Sequence, residues 1–165
     1  WPSRFTLFSA RYRDLVDFDA GPPPRLVNRA RIEADGLEWR SSHRFGNDWR
    51  LGLDGTWMRV RDPAGGAILR HRPRLQAGAD LLVPVGGAEL SLRLQHLGRR
   101  FDSAIPTGDR WLGRATTLDV AIRRPVGPAM LLLSLDDATD SRGEEVIGLD
   151  TPGRRLRLSL QWSLE

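Results

Sequence analysis

The residues that could do chemistry are few and scattered. His43, His71 and His96 are the three histidines of the chain. They fall on separate segments at no ligand spacing, so they read as surface or lumen side chains and not as a metal site. Asp136-Asp137 and Glu144-Glu145 are adjacent carboxylates. Neighbouring side chains of an extended segment point apart, which makes each pair a poor general acid and base. No Ser-His-Asp order and no phosphate loop is present. No residue is therefore assigned to catalysis, a cofactor or a metal, and nothing selects which acids would touch a substrate. The chain is not expected to be an enzyme.

What remains is arginine. All 25 basic residues are arginines, against 21 acids, for a net charge of +4. Such a balance invites a nucleic-acid reading. The arginines alternate with leucine and valine along extended runs, however, and no basic cluster forms, so nucleic acid is not an expected partner. Arg72, Arg74, Arg93, Arg123, Arg155 and Arg157 are expected to share one polar face. That face could guide an anionic solute or pack an internal domain. The simpler reading is ordinary lumen polarity, with arginine paired to Asp80, Glu89 and Asp119. No cysteine is present, so disulfides and thiolate sites are excluded.

The elements that must carry this face are strands. From Leu156 to Leu164 every even position is apolar, and from Arg155 to Ser163 every odd one is polar or charged. Side chains of a strand alternate between two faces, so one face is leucine and tryptophan, the other arginine, serine and glutamine. The run has the length of about 9–11 residues that a tilted strand needs to cross a bilayer. No run of about 18 apolar residues exists, which excludes a transmembrane helix.

The same device recurs along the chain. Residues 4–18 predict a first strand, broken by Ala20-Gly21-Pro22-Pro23-Pro24, whose prolines cannot donate to a ladder. A second strand runs from about Leu26 to Phe45. Its apolar parity switches at Gly36, from Ala30, Ile32 and Ala34 to Leu37 and Trp39, which predicts a β-bulge there. The third carries Trp49, Leu51, Leu53, Gly55 and Trp57 on one face. Its two tryptophans are about 26 Å apart along the strand. At a tilt of about 40° that is roughly 20 Å of depth, near the height of an apolar band between aromatic girdles. Asp62 to Gly66 is the next loop. Arg72–Val83, Glu89–Gln95, Thr117–Arg123 and Met130–Leu135 predict strands four to seven, with Arg72-Pro73-Arg74 opening the fourth, and the final run is the eighth. Tight turns at Gly46-Asn47, Gly86-Gly87 and Val126-Gly127 follow strands two, four and six. Longer polar connections follow strands one, three, five and seven, including Asp102–Arg114 and Asp136–Pro152. Alternation of short and long connections is the organisation of an outer-membrane barrel. Leu90, Leu92, Leu94, Leu118, Val120, Ile122, Leu156, Leu158, Leu160, Trp162 and Leu164 are expected to face away from the barrel axis. Finding the leucines on the concave side would favour a soluble lipocalin-like barrel instead.

Five segments carry a family resemblance. Val146-Ile147-Gly148-Leu149-Asp150-Thr151-Pro152-Gly153-Arg154-Arg155, followed by an alternating strand, resembles the C-terminal end of TonB-dependent outer-membrane receptors. Asp137-Ala138-Thr139-Asp140 stands where that family usually has Asn-Leu-Phe-Asp, and only its last Asp matches. Gly98-Arg99-Arg100-Phe101-Asp102, Arg72-Pro73-Arg74, and Asn28-Arg29-Ala30-Arg31-Ile32 through Gly36-Leu37-Glu38 also fit. The resemblance covers essentially the whole chain and is nearest to the vitamin B12 (cobalamin) receptor branch. The family usually ends on an aromatic residue, whereas this chain ends Leu164-Glu165.

The resemblance implies an all-β antiparallel up-and-down segment of a transmembrane barrel of about 22 strands. Residues 1–165 would be its C-terminal part, without the N-terminal plug and earlier strands. It implies uptake of a large, scarce solute, a cobalamin or a metal chelate such as a siderophore, with no cofactor. The implied partners are outer-membrane lipid and, through the plug, TonB. The implied place is a Gram-negative-type outer membrane with the C-terminus periplasmic. The rival readings are a self-contained eight-stranded membrane barrel and the lipocalin-like barrel.

Overall fold

The computed structural model describes residues 1–19, 21–65 and 69–162. Ala20, Gly66, Ala67, Ile68, Ser163, Leu164 and Glu165 lie outside them, and with them the outward facing expected of Leu164. Twelve strands form: β1 (Ser3–Asp19), β2 (Arg25–Arg44), β3 (Arg50–Arg61), β4 (Leu75–Val85), β5 (Ala88–Leu97), β6 (Arg100–Ala104), β7 (Gly108–Leu112), β8 (Ala115–Val126), β9 (Ala129–Asp136), β10 (Glu144–Val146), β11 (Leu149–Asp150) and β12 (Arg155–Trp162). Eight of them make one antiparallel meander, in the order β1-β2-β3-β4-β5-β8-β9-β12. Among the described residues β1 and β12 are its two edges. The tight turns fall at a 3-10 turn over Gly46–Asp48, at Gly86-Gly87 and at Gly127-Pro128, the last one residue beyond expectation. Gly86 and Gly87 have φ of 55° and 80°, the paired left-handed conformation that a two-residue hairpin loop demands.

Register sorts the side chains into two faces. Leu51, Leu81, Leu92, Val120, Leu135 and Leu156 are successive cross-strand partners, a row six strands wide. Val83, Leu90, Ile122, Leu133 and Leu158 make the next row. This face is most open toward β12, where Leu156 and Leu158 are each 70% exposed, and least open at Val83, which is buried. The opposite face carries Gly52, Asp80, Arg93 and Asp119 as partners. The hollows of the surface are lined along that polar face, by Arg44, Arg50, Asp80 and Arg93 in one case and Arg4, Thr6, Glu38 and Arg40 in another. The sheet therefore curls around its polar face and leaves the leucines convex.

No bulge occurs at Gly36. β2 pairs without a shift from Arg31 to Ser41 on β1 and from Glu33 to Arg44 on β3. Ile32 and Ala34 thus truly face opposite to Leu37 and Trp39. On one side of Gly36 the outer face holds Phe5, Leu7, Leu37, Trp39 and Trp57. On the other side it holds Ser9, Arg11, Glu33, Asp35 and Arg61, while Ile32 and Ala34 are buried on the inner face at 1% and 6% exposure. The apolar face therefore changes sides at Gly36 while the register holds. Gly36 sits at the exchange under the Phe8 ring. A Cβ there would meet that ring and come within 2.5 Å of the Trp57 carbonyl oxygen.

The long connections are built, not slack. The Asp102–Arg114 connection folds as the β6–β7 hairpin and the 137–154 connection contains β10–β11. Asp102, 3% exposed, accepts the amides of Ser103 and Ile147 at 2.8 Å each and faces His71 Nε2 at 3.0 Å. Arg100, 6% exposed, donates to the carbonyls of Glu144 at 2.6 Å and Glu145 at 2.9 Å. These contacts tie three connections into one rim. Asp140 adds a tie, accepting the Arg154 amide at 3.1 Å. Gly153, at φ 67°, is needed there, since a Cβ would approach that carboxylate to 3.0 Å. β4 begins at Leu75, so Arg72 and Arg74 belong to this rim and not to the wall, contrary to expectation.

Two outcomes follow from this architecture. Burial opposes the Asp102 carboxylate, but the Ile147 and Ser103 amides outweigh it, with His71 and Arg70 helping, and hold it below its ordinary value of 3.8. A depressed carboxylate adds stability that is fully present above its ordinary value and is lost as pH falls through the depressed one. Asp102→Asn should therefore speed amide exchange in residues 98–114 and 143–150 by about ten- to a hundredfold at pH 7, the loss of a charged hydrogen-bond acceptor. Exchange in β4, β5 and β8 should be unchanged, and wild-type rim protection should fade only below the ordinary carboxylate range. Unchanged rim exchange in the variant would refute the tie. Separately, Gly36→Ala should lower stability by about 1–3 kcal/mol in a denaturant titration. Gly46→Ala, where a Cβ meets nothing within 4 Å, should stay within about 0.5 kcal/mol of wild type.

Candidate functional site

The candidate site is the concave polar wall beneath that rim. Strand alternation places its side chains, and cross-strand register decides which of them meet. Arg93 Nε lies 2.6 Å from Asp80, Arg123 2.7 Å from Glu89, and Arg50 3.3 Å from the same Glu89. Arg157 and Arg155 converge on Asp136 at 2.8 and 3.9 Å. Four of the six arginines singled out from the sequence are thus on the wall, and Asp80 and Glu89 pair with arginine as expected. Asp119 does not. Its carboxylate accepts the Asp137 amide at 2.9 Å and joins the wall to the rim.

The wall encloses a hollow of about 810 Å³ against Ser42, Arg44, Arg50, Asp80, Arg93, Asp119 and Asp136. Its arginines are half-exposed, and exposed ion pairs contribute only about 0–1 kcal/mol each. An anionic solute could therefore exchange for a wall carboxylate at little cost. Arg40 and Arg44 on the same face have no carboxylate within 4 Å among the described residues, and Arg44 stands directly opposite Arg50. The chemistry on offer is solvation and weak anion contact, in a surface wide enough for a large solute.

The other sequence candidates disperse. His43 stacks on Trp1 with ring centroids 4.8 Å apart. His96 shares a 2.8 Å hydrogen bond with Thr116, and His71 belongs to the rim. Asp136 and Asp137 point apart because the strand ends between them: Asp136, in β9, holds wall arginines, and Asp137, in a turn at φ 46°, accepts Thr139 Oγ1 at 2.5 Å and the Ser141 amide at 2.8 Å. Glu144 pairs with Arg110. The Asp140 carboxyl is held below its ordinary value, chiefly by the Arg154 amide against burial, with the Arg142 and Arg154 charges assisting. Sequence reasoning missed the Arg100–Asp102 tie. Its signal was present in Gly98–Asp102 and Val146–Arg155, two of the segments carrying the family resemblance, whose mutual contact only the structure reveals.

No family model and no curated protein matches this chain. Solved structures do. The pyoverdine outer-membrane receptor FpvA from Pseudomonas aeruginosa PAO1, bound to pyoverdine, superposes with a TM-score of 0.78 at 14% identity, over 98% of this chain and 27% of its own. The siderophore receptor PirA from Acinetobacter baumannii gives 0.76 at 14% identity, over 98% and 29%. The ferric yersiniabactin uptake receptor FyuA from Yersinia pestis gives 0.71 at 16% identity, over 95% and 25%. The chain spans about a quarter of the length of these structures. It has the fold of a segment of their barrels.

Proposed function

We propose that this chain is the C-terminal part of the barrel of an outer-membrane TonB-dependent receptor that takes up a large, scarce solute, a metal chelate of the siderophore kind. The observation that carries this reading is the two-faced wall: leucine rows on the convex side, paired arginines on the concave side, over eight meandering strands. Likeness to siderophore receptors across nearly the whole chain supports it. The cobalamin branch suggested by the sequence motifs has no counterpart among those structures, so the metal chelate is the class carried forward. The leucines on the convex face speak against a soluble ligand-binding barrel. The two sheet edges speak for further strands, because unpaired backbone groups are not tolerated in hydrocarbon. In the whole receptor, energy would reach the solute through a plug and TonB, and the C-terminus would lie on the periplasmic, tight-turn side.

Two experiments test this. Growth on one ferric chelate as sole iron source should be lost when the gene is deleted and restored by the intact gene. Growth on every chelate tried would remove the transport reading. The wall itself is tested by a pair of neighbours. Leu158, on the convex face, and Ser159, on the concave one, are adjacent in β12. In the intact receptor folded into bilayers and titrated with denaturant, Leu158→Arg should cost about 2–4 kcal/mol. Ser159→Arg should cost well under that, because water solvates it in the lumen. Equal losses would reject a wall with two solvents.

A further inference from the structure

The outer face of β1–β3 changes abruptly beyond Leu7, Leu37 and Trp57, which are cross-strand partners in one row. The next row is Ser9, Asp35 and Arg59, and the one after is Arg11, Glu33 and Arg61. Arg13 and Arg31 then stand directly opposite each other. Contacts confirm that these side chains share a face. Ser9 reaches Asp35 at 2.7 Å, Arg61 lies 2.8 Å from Asp35 and 3.5 Å from Glu33, and Arg31 lies 2.5 Å from Glu33. Arg11 is 3.9 Å from the same Glu33. Five arginines therefore surround two carboxylates. Arg13 and Arg59 have no carboxylate within 4 Å among the described residues.

Like charges directly opposite on a sheet are destabilising, and Glu33 answers Arg31 but not Arg13, so the positive charge left at Arg13 and Arg59 calls for an anion from outside. Height identifies the anion. At about 3.3 Å per residue and a tilt of about 40°, the rows of Arg59, of Arg11 and Arg61, and of Arg13 and Arg31 stand roughly 5, 10 and 15 Å above the Trp57 row. The Arg59 row falls within a headgroup layer about 5–7 Å thick over a hydrocarbon core of about 30 Å, and the higher rows stand just outside it, within reach of long arginine side chains and of headgroups that project from the surface. The patch also continues the apolar band on the convex face, so it does not meet solute in the lumen. Guanidinium groups match phosphate oxygens bidentately. We propose that Arg11, Arg13, Arg31, Arg59 and Arg61 form a binding patch for the phosphates of phosphorylated outer-leaflet glycolipid, fixing the height of the wall in the membrane. This rests on the membrane-barrel reading above.

The test uses the intact receptor in phosphatidylcholine nanodiscs doped with diphosphoryl lipid A, with retained lipid counted by native mass spectrometry. Wild type should hold diphosphoryl lipid A in preference to the same lipid stripped of phosphate. At about fivefold per arginine, R13Q/R31Q/R59Q should weaken retention about a hundredfold, whereas Arg142→Gln, an 89% exposed rim arginine, should leave it unchanged. Equal retention of the dephosphorylated lipid, or no loss in the triple variant, would overturn the proposal while a heat-modifiable, inserted receptor leaves the barrel reading intact. Displacement by millimolar inorganic phosphate alone would show an anion site with no lipid specificity, and would overturn it as well. A receptor that fails to insert at all would overturn both.

Discussion

The structure depends on one constraint: a single sheet carries an apolar convex face and a charged concave face, and the membrane-wall reading proposed above requires each face to meet its own solvent, with backbone groups in hydrocarbon paired strand to strand. Pairing dictates a meander with register fixed strand by strand. Period-two alternation then assigns each residue to one solvent or the other. Six-strand rows such as Leu51 to Leu156 result when eight strands obey the same rule in phase. The exchange at Gly36 follows from it too. At Gly36 the chain keeps its register and exchanges which face is apolar, as the proposed membrane wall would where it leaves hydrocarbon.

The rim answers a second constraint. Long connections between strands expose backbone groups that no ladder satisfies. Here charged side chains satisfy them. Arg100 donates to loop carbonyls, and Asp102 and Asp140 accept loop amides. The rim is thus held by side-chain-to-backbone bonds, which resist rearrangement of the hairpins above the wall. The wall below is held differently, by half-exposed ion pairs that are individually weak and exchangeable. Loops held by side-chain-to-backbone bonds thus stand over a wall held by exchangeable ion pairs.

Much of this was legible in the sequence, for physical reasons. Strict alternation from Leu156 onward and at Leu90–Leu94 has one structural meaning, and glycine pairs such as Gly86-Gly87 mark hairpins because few residues tolerate that backbone. The parity switch at Gly36 is legible, but a bulge and an exchange of the apolar face leave the same trace in a single strand. Only the partner registers separate them. Arg72 and Arg74 were placed on the wall because their parity extends that of Gln76, and parity does not say where a strand starts. The small β6–β7 and β10–β11 hairpins were invisible, since loop polarity masks a short strand. The role of Asp102 was beyond reach: its partners Ile147 and His71 are 45 and 31 residues away.

The central claim, two solvents on one strand, is tested most directly by a spin-label scan of β12 in the intact receptor reconstituted in bilayers. A nitroxide at each position from Arg155 to Trp162 is probed for collision with oxygen, which partitions into lipid, and with a water-soluble nickel chelate. The account predicts a period of two, with oxygen accessibility maximal at Leu156, Leu158, Leu160 and Trp162, and nickel accessibility higher at the residues between. A flat profile, or the opposite phase, would contradict it.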